Sequence, residues 1–135
     1  MEEEKKSVHE VERIFSEHVF ILSEWGYKRV SIHDIIYLEA QQSYCYIHLS
    51  PNNGKKIVSI PMCEVLEDLN PLLFVRIHRS YAINIEHVTL FAGNMIRMDN
   101  GVELNIGREY RYNVEEAFVL IGSRKRVKKS SSYND

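Results

Sequence analysis

Arg76, His78, Arg79 and Ser80 fall within five consecutive positions of the stretch Phe74-Val-Arg-Ile-His-Arg-Ser-Tyr-Ala-Ile-Asn84. Guanidinium, imidazole and a small hydroxyl are hydrogen-bond donors of the kind that grip phosphate oxygens and base edges. Phe74, Val75 and Ile77 bring an apolar strand up to this cluster, and Tyr81-Ala82-Ile83 takes another away from it. Strand, polar corner, strand would hold the donors rigidly at the rim of a sheet. The other reading is a structural corner, with His78 and Arg79 satisfying backbone carbonyls. These residues alone leave both open.

Two further polar corners have similar chemistry: Gln41-Gln-Ser-Tyr44, and Gly107-Arg108 through Arg111. Each lies at the end of a predicted strand. If the three share one end of a sheet, they form a row of aromatic, guanidinium and amide groups suited to a groove. Periodicity does not decide whether they share it. The remaining chemistry is sparse. Histidines at positions 9, 18, 33, 48, 78 and 87 form no pair at a metal-ligand spacing, so no metal site is expected. Cys45 sits in a strand alternation and Cys63 in the first turn of a helix, where both read as packing residues. There is no Gly-rich phosphate loop, nucleophile elbow or paired-carboxylate motif, so neither an enzyme nor a cofactor is expected.

The elements that must position these corners are short. A chain of 135 residues with 44% hydrophobic and 27% charged residues fits one ordinary globular domain. No apolar run approaches the roughly 20 residues needed to cross a bilayer, and the opening lacks an export signal. A reducing cytoplasm is the expected compartment. The formal net charge of −2 argues against a uniformly basic surface but not against one basic edge. Residues 1–18 read as a linker or amphipathic helix, with a helical pattern over 7–22 whose Val19–Leu22 end serves equally well as a strand. Residues 19–120 read as the domain. Residues 121–135 read as a basic, disordered tail whose Arg124–Lys129 run adds at most unspecific phosphate attraction.

Within the domain the pattern is β. Strands are predicted at Tyr27–Ser31, Ile35–Glu39, Tyr44–Leu49, Lys55–Ile60, either side of the His78 corner, Val88–Phe91, Met95–Met98 and Val102–Ile106. Pro51-Asn-Asn-Gly54 and Asp99-Asn-Gly101 mark hairpin turns. Pro61 opens an internal helix of eight or nine residues, stopped by Asn70-Pro71. A last helix runs from the Gly107 corner to about Leu120. The total is nine to ten short strands, one short internal helix and a C-terminal helix, in a mostly β fold of small antiparallel sheets.

Ile35-Ile-Tyr-Leu-Glu-Ala40, Ser43-Tyr44, the helix Val65-Leu-Glu-Asp-Leu69, Phe74 through Tyr81 with Asn84, and Ile106-Gly-Arg-Glu-Tyr110 occur in an order and spacing that resembles the LytTR family of bacterial DNA-binding domains. The resemblance covers roughly residues 19–118. It implies a fold of small antiparallel sheets that reads successive major grooves through loops and bends the duplex. By the same resemblance Tyr44, Arg79 and Arg108 would read bases, while Ser43, His78, Ser80 and Arg111 would contact the DNA backbone. Ser43 stands where the family often has asparagine, Cys45 where a branched apolar residue is usual, and Ala82 where a larger one is usual. The implied partner is double-stranded promoter DNA with repeated elements. A second copy of the chain on DNA and an upstream receiver domain are further partners the resemblance allows; no membrane partner is implied. The competing expectation is a β-rich protein-interaction module without DNA affinity.

Overall fold

The computed structural model describes residues 13–51 and 54–122. Ile35, Ile36, Tyr37 and Leu38 are all buried, and a continuous apolar run of that length suits a strand covered on both faces. It opens β3 (Ile35–Gln41), the middle of a five-stranded sheet. The neighbours are β4 (Tyr44–Leu49), β5 (Lys55–Val58), β6 (Phe74–His78) and β7 (Tyr81–Asn84), in the order β5-β4-β3-β7-β6. A register shift between Ile35 and Tyr37 lets consecutive residues serve the same face. Ile36 and Tyr37 therefore enter one core cluster, and Ile35 and Leu38 the other.

Each face carries a lid. A two-stranded hairpin, β1 (His18–Ser23) and β2 (Gly26–Ser31), covers one face together with α1 (Met62–Glu67). Ile21, Met62 and Leu69 from this layer pack with Ile35, Leu38, Cys45 and Ile47. The opposite face meets a three-stranded sheet of β8 (Val88–Ala92), β9 (Met95–Met98) and β10 (Glu103–Asn105), with α2 (Arg111–Ala117) beside it. Ile96, Met98, Leu104 and Val114 close on Ile36, Tyr37, Ile77 and Ile83. The described residues thus give ten short antiparallel strands and two helices, the mostly β architecture expected.

Several boundaries differ from expectation. The chain is β strand from His18, so the Val19–Leu22 end of the predicted helix resolves as strand; residues 7–12 of that helix lie outside the described residues. β3 runs on through Ala40 and Gln41, because ladder pairing uses the backbone and tolerates polar side chains. α1 has six residues rather than eight or nine, since Asp68 leaves helical geometry and the chain turns to bury Leu69. α2 stops at Ala117, where Phe118 adopts an extended conformation. Residues 52 and 53 of the predicted 51–54 turn, and the tail from 123 on, lie outside the described residues. Among the described residues, no helix is long and apolar enough to cross a membrane.

Polar side chains lock the layers together near the start of β3. Asn84 is fully buried; its Nδ2 donates to the carbonyls of Ile35 at 2.9 Å and Ile32 at 3.3 Å. Its Oδ1 accepts the Glu86 N–H at 2.9 Å. Nearby, His33 lies between two carboxylates, with Nδ1 2.7 Å from Glu86 and Nε2 3.2 Å from Glu17. His87 donates from Nε2 to the His33 carbonyl at 2.6 Å, while its Nδ1 meets Asp99 at 2.7 Å. Only an imidazolium donates from both ring nitrogens, so the hydrogen bonds to Glu86 and then Glu17 raise the His33 pKa above 6.5.

The stabilisation from His33 is therefore complete below pH 6.5 and is lost as the pH rises through the raised folded-state value. We expect an NMR titration of the His33 ring to give a midpoint above 6.5. We also expect His33→Gln to remove that part of the pH dependence of unfolding. A midpoint at or below 6.5 would mean that the two carboxylates do not hold the ring.

Candidate nucleic-acid interface

The strand order brings the three polar corners to one end of the central sheet. Gln41 pairs with Tyr44, so Gln42 and Ser43 form a two-residue turn, with Gln42 at φ 58°. β7 runs antiparallel to β3 with Glu39 opposite Tyr81, which puts the start of β7 beside the end of β3. The Ala40 N–H donates to the Ser80 carbonyl at 2.9 Å, joining the first corner to the second. The third joins through a bulge: the β6–β7 register shifts between Arg76 and His78, and the Ile77 carbonyl there accepts the Gly107 N–H at 2.8 Å. Gly107 packs closely, so that a side chain there would displace the Tyr110 ring by a few tenths of an ångström. A Cβ on it would lie 3.2 Å from Tyr110 Cδ2 and 3.5 Å from His78 Cα.

At this end the side chains divide into those used internally and those left outward. Arg76 donates from Nε to the His78 carbonyl at 3.2 Å and from a terminal nitrogen to the Arg79 carbonyl. Its guanidinium also sits 5.8 Å from the centre of the Tyr110 ring, bracing the second corner against the third. His78 accepts the Ser80 N–H on Nδ1 at 3.0 Å, and its ring leans on Tyr81 with centroids 5.4 Å apart. In the neutral ring the proton therefore sits on Nε2. Tyr44, Arg79 and Arg108 are exposed, and their side chains make no hydrogen bond or ion pair with another described residue. Ser43 is exposed beside Tyr44, and Ser80 is half-buried.

At the second corner the backbone carbonyls are met by Arg76, and not by His78 or Arg79 as the structural reading had them. Arg76 had one sequence signal, a charge inside the apolar strand Phe74–Ile77; its bracing role is visible only in three dimensions.

Arg111, expected to contact a DNA backbone, is engaged within the chain. Its Nε meets Glu115 at 3.0 Å, and Nη1 donates to Asn94 Oδ1 at 2.9 Å and to the Gly93 carbonyl. Its guanidinium lies 5.3 Å from the Phe91 ring centre. These bonds use Nε and Nη1, and Nη2 is bonded to no described residue. For Arg111→Ala we expect about 1–2 kcal/mol less stability in urea unfolding, with the salt dependence of DNA binding unchanged. A salt slope flatter by about one unit would instead make Arg111 a phosphate contact.

Cys45 is fully buried, and burial pushes its thiol up to about 11, so it stays protonated at neutral pH. Among the described residues, no group of three or more His, Cys, Asp and Glu side chains is placed to hold a metal ion.

The LytTr DNA-binding domain family matches residues 26–118. The CO-responsive transcriptional regulator RcoM of Rhodospirillum rubrum is 34% identical over 71 residues, 50% of this chain and 29% of that protein. The transcriptional regulatory protein LytR of Staphylococcus aureus is 29% identical over 104 residues, 68% of this chain and 42% of its own length. This chain therefore spans less than half of either regulator. Among solved structures, the LytTr DNA-binding domain of a putative methyl-accepting/DNA response regulator from Bacillus cereus superposes with a TM-score of 0.64 at 20% identity. That match covers 76% of this chain and 96% of the other.

Proposed function

The chain belongs to the LytTR family of DNA-binding domains, and from that premise we propose that it binds promoter DNA sequence-specifically as part of a bacterial transcription regulator. The observation that carries this reading is the pair of exposed guanidinium groups, Arg79 and Arg108, on corners fastened together at one sheet end. A guanidinium fork fits O6 and N7 of guanine in the major groove, and no described residue competes for it. Tyr44, on the neighbouring corner, reads a further base edge. Ser43, Ser80 and the Nε2–H of His78 supply short donors that suit phosphates and set the register.

In this reading the corners enter successive major grooves from one side of the duplex. The duplex then bends toward the domain, at an elastic cost on the order of 1–6 kcal/mol that the added contacts offset. Repeated promoter elements would place a second copy of the chain alongside. An upstream receiver domain would supply the signal in a longer protein, and the compartment is the cytoplasm, where the chromosome lies. The role is binding and not catalysis.

Methylation protection tests the groove assignment. We expect protection of guanine N7 at positions about one helical turn apart on a bound duplex. Protection should vanish at one set of guanines in Arg79→Ala and at the other in Arg108→Ala. Binding without any N7 protection would contradict major-groove readout by these arginines.

A further inference from the structure

The β8–β9 turn, Gly93–Asn94, ends beside the third corner and is tied to it twice. The Asn94 carbonyl accepts the Ile106 N–H at 2.8 Å, immediately before Gly107. Arg111 reaches back to donate to the Gly93 carbonyl and, at 2.9 Å, to Asn94 Oδ1. Gly93 holds φ 58°, a left-handed conformation that costs glycine little.

These contacts orient the Asn94 amide. Arginine only donates, so the amide oxygen must face Arg111 and the nitrogen must face away. Asn94 is exposed, and its Nδ2 has no acceptor among the described residues. An oriented donor with an open valence, next to the corner that carries Arg108, fits an anionic oxygen.

We propose that Asn94 Nδ2 donates to a DNA phosphate, making the β8–β9 turn a fourth contact element. This rests on the DNA-binding reading above. Phosphate is favoured over a base because the side chain is short and held at its oxygen end by Arg111. The long free arms of Arg79 and Arg108 reach a groove floor; an anchored amide meets the backbone at its rim.

The test separates the donor from its structural role. Asn94→Asp keeps the acceptor that Arg111 needs and removes the two donors, setting a carboxylate where the phosphate would lie. We expect its thermal unfolding midpoint to equal or exceed that of the unsubstituted chain. We also expect its affinity to fall about tenfold or more, on a selected site and on a scrambled duplex alike. Asn94→Ala should weaken both duplexes by a smaller, equally uniform factor.

Unchanged affinity in Asn94→Asp, with the unsubstituted chain binding normally, would overturn the contact. A loss confined to the selected site would overturn the phosphate assignment. If the unsubstituted chain binds neither duplex, the DNA-binding reading itself fails, a result distinct from both.

Discussion

Arg79→Ala should sharply reduce preference for the target sequence while leaving the domain folded. The Arg79 side chain is exposed and bonded to no described residue, so its loss removes nothing that holds the corner; Arg76 does that. Stability should therefore change by no more than about 0.5 kcal/mol, as for surface substitutions generally. Binding to the selected site should weaken by roughly 1–3 kcal/mol, the worth of one bidentate guanine contact, or about five- to 150-fold. Arg79→Lys keeps the charge and loses the fork, so it should recover affinity for scrambled DNA and not the preference. Titration of each variant on both duplexes, beside a urea unfolding curve, checks all of this. If Arg79→Ala unfolds the domain, the corner is structural and the base-reading role fails.

The opposite outcome is expected of Asn84→Ala. Asn84 is fully buried and bonds to the carbonyls of Ile32 and Ile35 and the N–H of Glu86; removing its amide takes this partner from the Ile35 carbonyl and the Glu86 N–H, while the Ile32 carbonyl keeps the Ile35 N–H. The cost should be about 3 kcal/mol, given 1–3 kcal/mol for each buried group left unpaired and some relaxation. For a domain of this size that lowers the unfolding midpoint on the order of 15 °C. Asn84→Asp should do at least as much damage, since a carboxylate cannot donate to either carbonyl and would be buried with its charge. The fraction that remains folded should still select the same DNA sequence, because Asn84 lies near the start of β3 and the corners at its far end. A midpoint within about 3 °C of the unsubstituted chain would show that water replaces the amide and that it does not lock the layers.

How much of this was legible in the sequence depended on what each residue needed for its assignment. The buried strand at Ile35–Leu38, the alternation at Tyr44–Leu49 and the Asn100-Gly101 turn announce themselves locally, and the structure has them where the pattern put them. Val19–Leu22 did not, because only pairing with Lys28, Arg29 and their neighbours selects strand over helix there. All three corners could be picked out by their polar residues at strand ends. Their alignment could not, since it follows from β3 lying beside β7 and from the bulge at Ile77, neither of which has a periodicity. The division of labour among the cations was equally hidden. Arg76, Arg79, Arg108 and Arg111 are the same residue type within one motif system, and only geometry separates the two that brace from the two that stand free. Asn94, in an ordinary turn, carried no signal that Arg111 would orient it.

The most direct test of the central claim is selection from a randomised duplex library over several rounds, at two salt concentrations, with the unsubstituted chain. One short motif should emerge at both salts, with weaker overall retention at the higher one. Retention at low salt without any enriched motif would contradict sequence-specific readout and leave only charge. No retention at either salt would contradict DNA binding altogether and favour a protein-interaction module.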